Sequence, residues 1–258
     1  MKLGFIGMGN MGLALAEGFL HSGLLSPADL AAFAPNREKL QKNAKRIGFI
    51  PCDTAREAVT FADVVVMACK PQQIEGVLDE LGDALRGKAL LSVALGWDYA
   101  RYAAHLPDTR IQFVMPNTPA AIGEGVFLFE EQNSLKAEEK QALTVLFEAL
   151  GTVITLPSHL MGIGGALSGC GPAFVCMMIE AYADAGVKYG LTREQALKMT
   201  AATVGGTAKL LLATGKHPGE LKDAVCSPGG STIKGVTALE QAGFRANCIS
   251  AIDAIMKK

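Results

Sequence analysis

Apolar positions along the chain fall into two textures. In the first, short apolar runs alternate with stretches whose apolar residues recur at helical spacing. Leu3 to Ile6 is a β-prone run, and Leu13, Ala16, Phe19 and Leu20 continue at helical spacing until Gly23. Leu30–Ala34 reads as a second strand and Arg37–Arg46 as a helix, and "CDTAREAVTFAD" carries a Thr54…Glu57 capping box. The strand "DVVVMAC", a helix after Pro71, the strand "ALLSVAL", a helix near Tyr99 and the strand "RIQFVM" follow. The unbroken Val64–Cys69 run suits a strand buried on both faces. A helix from Lys136 to Leu150, capped by Ser134 and stopped by Gly151, leads into the strand "TVITL". Strand–helix alternation of this kind predicts an α/β fold with a doubly wound parallel sheet.

After Pro157-Ser158 only helical texture remains, which places a domain boundary between 1–157 and 158–258. Pro172 takes a first-turn position and Gly190 a C-cap. Phe174–Ile179 is apolar all round, which predicts burial on every side. A Thr192…Gln195 box opens the next helix, whose interior carries Gly205-Gly206. Interior glycines cost ~1 kcal/mol each, so close packing against another helix is expected there. An all-α domain this apolar is expected to be shared in a homodimer, with higher homo-oligomers open.

Composition narrows the function classes. Half of the residues are hydrophobic, 19% are charged and the net charge is −1. With no Lys/Arg cluster, nucleic acid is not an expected partner. The apolar stretches fall short of the ~20 residues of a membrane span, and "MKLGFIG" reaches glycine too soon for a signal peptide. The six cysteines form no Cys-x-x-Cys pair and no zinc spacing with the four histidines. A reducing, cytoplasmic setting without a metal is the expectation.

The chemistry begins at Gly7-x-Gly9-x-x-Gly12, between the first strand and helix. Gly7 suits a tight turn, Gly9 lets the backbone approach a pyrophosphate, and Gly12 lets helix pack on strand. Met8, Asn10 and Met11 belong to the same loop, whose helix N-terminus faces the phosphates. A Rossmann-type dinucleotide site is thus expected. At the end of the second strand, "FAPNREK" lacks the acid that usually binds the ribose hydroxyls and offers Asn36 and Arg37 instead. A guanidinium there suits a 2′-phosphate, which favours NADPH; an exposed arginine merely starting a helix is the alternative. Two more loops fall at carboxyl ends of strands, where such sheets bind ligands. One holds Cys69, Lys70 and Pro71; the other runs from Met115 to Thr118. Asn117 suits either a contact to ribose or nicotinamide or ordinary turn chemistry between two prolines.

Late in the chain, "SPGGSTIKGV" places Pro228, Gly229 and Gly230 ahead of Ser231 and Thr232. Ile233, Val236 and Leu239 then keep helical spacing until Gly243. Ser231 and Thr232 therefore stand at a helix N-terminus, where amides and dipole attract an anion. An ordinary Ser/Thr N-cap is the plain alternative.

Together these stretches resemble pyrroline-5-carboxylate reductase, the last enzyme of proline synthesis. The likeness runs from "GFIGMGNMG" through "CKP" and "MPNTP" to "LSGCGPAF", "HPGELKDAVCSPGGSTIKGV" and "LEQAGFR". It implies that NADPH, with NADH as a second donor, passes hydride to the C=N carbon of a cyclic imino acid to give L-proline. It also implies that amides of Gly230, Ser231 and Thr232, with Gly229 beside them, hold the substrate carboxylate, and that the Thr232 hydroxyl meets the ring nitrogen. An intertwined helical dimer, each site completed by the partner, is implied as well. The family often has Ser and Tyr where this chain has Cys170 and Phe174, so a hydroxyl contact near that turn, which also holds Ser168, is missing here. Three rivals remain. A β-hydroxyacid dehydrogenase shares the glycine motif, but its G-x-x-x-K-x-x-x-N helix finds Gly205 and Lys209 here with Ala213 in place of Asn. The others are an imine-reductase-like oxidoreductase and a non-catalytic dinucleotide sensor.

Overall fold

The computed structural model describes residues 1–257 as two compact units, Met1–Gly169 and the described residues from Cys170 onward. In the first unit, β1 (Leu3–Ile6), α1 (Asn10–His21), β2 (Leu30–Phe33), α2 (Arg37–Ile47), β3 (Ile50–Pro51), α3 (Ala55–Phe61) and β4 (Val64–Met67) come first. Then follow α4 (Ile74–Leu85), β5 (Ala89–Ser92), α5 (Tyr99–His105), β6 (Arg110–Met115), β7 (Gly125–Glu130), α6 (Ala137–Glu148), β8 (Gly151–Leu156) and α7 (Met161–Gly165).

The eight strands form one sheet in the order β3-β2-β1-β4-β5-β6-β7-β8. The chain winds outward from β1 to β3, returns to β4 on the other side of β1, and winds outward again. Where that direction reverses, a crevice opens between neighbouring loops. Alternation along the strands supplies two apolar layers. Leu3, Phe5, Val64 and Val66 join Leu15, Phe19 and Phe147 on one face, while Ile6, Val65 and Met67 join Leu78, Trp97 and Tyr102 on the other. The central strands β1 and β4 are buried throughout, as a strand covered on both faces must be.

Three details depart from the sequence reading. β7 is an additional strand, antiparallel to β6 and parallel to β8; a compact turn through Thr118–Ile122, ended by left-handed Gly123, lets the chain double back without a crossover helix. Ser134 does not cap α6. Its hydroxyl accepts the Ile111 N–H at 2.9 Å, and Glu139 closes the helix start instead, accepting the Lys136 N–H at 3.0 Å. Finally, the helical run Ser158–Lys188 has the length and mean hydropathy, 1.5, of a membrane span. Its neutral residues include glycine and alanine as well as large apolar side chains, so counting unbroken large apolar runs overlooked it.

The second unit is all helical: α8 (Gly171–Lys188), α9 (Arg193–Thr214), α10 (Pro218–Ala224), α11 (Ser231–Gln241) and α12 (Phe244–Met256). The Thr192…Gln195 capping box forms with both bonds, at 3.2 and 3.1 Å. Burial is another matter. Ala183 and Ala196 are the buried residues of these helices, and Phe174, Val175 and Met177 are 36%, 41% and 68% exposed. A Cβ added at Gly205 or Gly206 would meet nothing within 4 Å. The expected burial on every side is therefore not supplied by this chain alone, since five short-loop helices cannot wrap apolar stripes that face outward.

Two substitutions test how the first unit is held. Gly151 sits at φ 146°, and an added Cβ would fall 2.0 Å from the Gly125 carbonyl oxygen, so β7 and β8 can start side by side only without a side chain there. Gly151→Ala is expected to cost about 2–4 kcal/mol in urea unfolding. Arg110 grips the Glu139 carboxylate through Nε at 2.8 Å and Nη2 at 2.5 Å, and that bond first of all holds the Glu139 pKa below its usual value. A depressed folded-state pKa gives stability that is present at neutral pH and lost on acidification through that pKa. Glu139→Gln should cost about 1 kcal/mol at pH 7, and its deficit relative to the parent should shrink as pH falls below about 4.

Candidate active site

The crevice beside β1 is a cleft of about 380 Å³ lined by the glycine loop, the end of β2 and the end of β4. Its shape follows from three glycines with separate roles. Gly7 is left-handed at φ 99°, donates to the Phe33 carbonyl at 2.8 Å, and would push a Cβ to 2.6 Å from the Cys69 nitrogen. A Cβ at Gly12 would lie 2.8 Å from the Gly7 oxygen and 3.3 Å from the Ala68 Cβ, so α1 can rest on the sheet only with glycine there. At Gly9 a Cβ would meet nothing within 4 Å. That position is bare toward open space rather than toward protein, as a cradle for a phosphate group needs. Gly9 is also the N-cap of α1 and provides no side-chain bond, so the first-turn amides are left for a ligand.

Of the residues expected at a cofactor, Gly7, Met8, Gly9, Asn36, Cys69 and Lys70 line this cleft. Asn36 caps α2, its Oδ1 accepting the Lys39 N–H at 2.9 Å. Arg37 points elsewhere: Nη1 donates to the Asp53 carbonyl at 2.9 Å, and the guanidinium pairs with the Asp53 carboxylate. Lys39, which the sequence reading did not single out, lines the wall beside Asn36 as the third residue of α2. No carboxylate lines the cleft, and its charged side chains are Lys39 and Lys70. Such a wall favours a polyanion.

The loop after β4 is pinned from behind. Trp97, 1% exposed, donates its indole N–H to the Pro71 carbonyl at 3.1 Å, and the Arg101 guanidinium lies 4.0 Å over the Trp97 ring. The Lys70 N–H donates to Gln73 Oε1 at 3.2 Å. Burial pushes the Cys69 thiol up to about 11, so it stays protonated near neutrality and is no nucleophile. Among the described residues, no cluster of three His, Cys, Asp or Glu side chains could hold a metal ion.

Met115 and Asn117, at the end of β6, do not line the cleft. Met115 lies against Gly165, and the Asn117 carboxamide is engaged within the protein: Nδ2 donates to the Ser168 carbonyl at 3.0 Å, and Oδ1 accepts the Val126 N–H at 2.9 Å.

In the second unit, Gly230 is the N-cap of α11 in extended conformation, without a side-chain cap, and Gly229 is left-handed at φ 70°. Ser231 and Thr232 are therefore the first helical residues rather than caps. A Cβ at Gly230 would fall 2.4 Å from Ser227 Oγ, so the turn closes tightly; the first amides of α11, like those of any helix, have no partner within the helix.

Comparison with known proteins covers both units. Residues 158–258 match the family model for pyrroline-5-carboxylate reductase dimerisation, and residues 2–96 that for NADP oxidoreductase, coenzyme F420-dependent. The pyrroline-5-carboxylate reductase of Treponema pallidum is 40% identical, with 99% of each chain covered. That of Escherichia coli is 38% identical over 100% of this chain and 96% of its own. The crystal structure of Plasmodium falciparum pyrroline carboxylate reductase with NADP bound superposes with a TM-score of 0.89 at 30% identity, covering 99% of this chain and 95% of the other. Relatives this similar, matched from end to end, show that the chain belongs to the pyrroline-5-carboxylate reductase family.

Proposed function

We propose that this protein is an NADPH-using pyrroline-5-carboxylate reductase that forms L-proline in the last step of its synthesis. The observation that carries the reading is the glycine-floored, acid-free cleft, found in a chain that matches such reductases over its full length. The bound dinucleotide supplies the hydride. The chain's own residues bind and orient. Gly7, Met8 and Gly9 with the α1 amides, together with Asn10 and Met11, take the pyrophosphate; Asn36 and Lys39 take the adenosine ribose and its 2′-phosphate; Cys69, Lys70 and Pro71 form the far wall.

For the substrate, the amides of Ser231 and Thr232 with the Gly229-Gly230 turn suit a carboxylate. The Thr232 hydroxyl donates to the ring nitrogen. A C=N bond takes hydride readily once its nitrogen is protonated or hydrogen-bonded, so no strong acid is required. Fixing two reactants in register carries much of the remaining barrier.

The exposed apolar helices support a homodimer, and six cysteines without a disulfide suit the cytoplasmic setting expected from the sequence. Met177, Leu212 and Ile249 are 68%, 80% and 63% exposed, and apolar surface on this scale marks an interface. The same argument explains a span-like helix without a membrane: a second copy would cover it.

The first test is loss of NADPH absorbance on adding the cyclic imine; an inert protein would overturn the reading. Thr232→Ala is expected to lower kcat at least about tenfold while leaving the Kd for NADPH within about threefold. For the cofactor, 2′,5′-ADP and 5′-AMP titrated calorimetrically separate the phosphate from the rest. Lys39→Met should weaken 2′,5′-ADP about tenfold, and more than Arg37→Ala does. The reverse order would return the 2′-phosphate to Arg37.

A further inference from the structure

The helical run that ends in α8 widens into a π-turn at Ala166–Cys170, and the sequence gives the reason. Pro172 has no N–H, and its ring excludes the carbonyl four residues behind it. That carbonyl belongs to Ser168. A peptide carbonyl displaced from the helical ladder in a half-buried place needs another donor. Asn117 is that donor, at 3.0 Å, from a site only 6% exposed. Its other end accepts the first free amide of β7, that of Val126, at 2.9 Å.

A second contact fastens the same two segments. A Cβ at Gly165 would fall 2.4 Å from the Met115 sulfur, so this glycine lets the helix lie directly on Met115. The Ser168 hydroxyl turns back to the Gly164 carbonyl at 2.9 Å and takes no part in the brace. The loop at the carboxyl end of β6 and the π-turn thus share one buried carboxamide, and loops at such strand ends are where this kind of sheet binds ligands. Helical π-turns recur at functional sites because they re-aim the residues they carry.

We propose that Asn117 is a positioning residue: it supplies the hydrogen bond that Pro172 cannot, and so fixes the Met115–Thr118 loop and the π-turn in the shape turnover requires, without touching cofactor or substrate. The activity readout rests on the reductase reading; the structural readout does not.

The experiment compares the parent with Asn117→Asp, Pro172→Ala and the double variant. Asp keeps the shape and still accepts from Val126, but it has no donor for Ser168. Ala at 172 restores an N–H that can close onto Ser168. Asn117→Asp should lower kcat at least about tenfold with the NADPH Kd within about threefold, and amide hydrogen exchange over residues 166–174 should quicken. Pro172→Ala should lower kcat by a similar factor while keeping exchange slow, because the turn closes into regular helix. In that background Asn117→Asp should add less than about a twofold further loss. The proposal is overturned if Asn117→Asp leaves kcat and exchange at parental values. It is equally overturned if the NADPH Kd rises in step with the kcat loss, or if the two substitutions act independently. Should Asn117→Asp not fold, Asn117→Ala, which has no donor for Ser168 either, is read by the same kcat and exchange comparison. A parent with no imine turnover would sink the reductase reading alone, and the exchange data would still judge the brace.

Discussion

Three backbones meet at Gly7: the end of β1, the start of α1 and the strand end at Ala68–Cys69. An added methyl group at Gly7 or Gly12 would come within 2.8 Å of neighbouring backbone, and a contact that short cannot be relieved without moving a strand or helix. This close approach sets where α1 points, how α1 seals the apolar layer beneath it, and how open the cleft is above Gly9. Steric exclusion is a stiff constraint, whereas apolar burial is roughly proportional to area and forgiving of small shifts. The packing of Leu15 and Phe19 makes the unit stable; the glycines decide the position in which it is stable.

The cleft is also an electrostatic object. Within a chain of net charge −1, its wall gathers two ammonium groups and no carboxylate. The nearby acid, Asp53, is occupied by Arg37. That ion pair is exposed and contributes little stability, yet it keeps a negative charge and its partner off the cleft wall together. The reading proposed above asks little more of the protein: main chain and lysine for one polyanion, helix amides for one small acid, and a hydroxyl for nitrogen.

The second unit shows a different physical state. Its helices have good local signals, from the Thr192–Gln195 box to the left-handed Gly215 that ends α9, and almost no core of their own. Local hydrogen bonding makes these helices; burial that would fix them must come from another surface. The same division explains why Phe174–Ile179 reads as buried in the sequence and stands exposed in one chain. Periodicity records that a face is apolar, not which molecule covers it.

Local rules thus carried the element order, the glycine loop, the Thr192…Gln195 box and the helix start at Ser231, because each depends on residues a few positions apart; of the expected Thr54…Glu57 box only the Thr54 cap forms, since Glu57 accepts the Asp53 N–H instead. They missed β7, whose place is settled by its pairing with β6 on one side and β8 on the other rather than by its own residues. They placed Ser134 at a helix start when a sheet amide of β6 claimed its hydroxyl. They offered Arg37 without its partner, because nothing in "FAPNREK" reveals that Asp53 lies within reach; the parallel pairing of β2 with β3 brings it there. Asn117 is the clearest case. Its position in the loop was visible, but the carbonyl it serves exists as an open acceptor only because Pro172, far along the chain, declines to bond it. Sequence fixes which groups lack partners; the tertiary fold decides who meets the need.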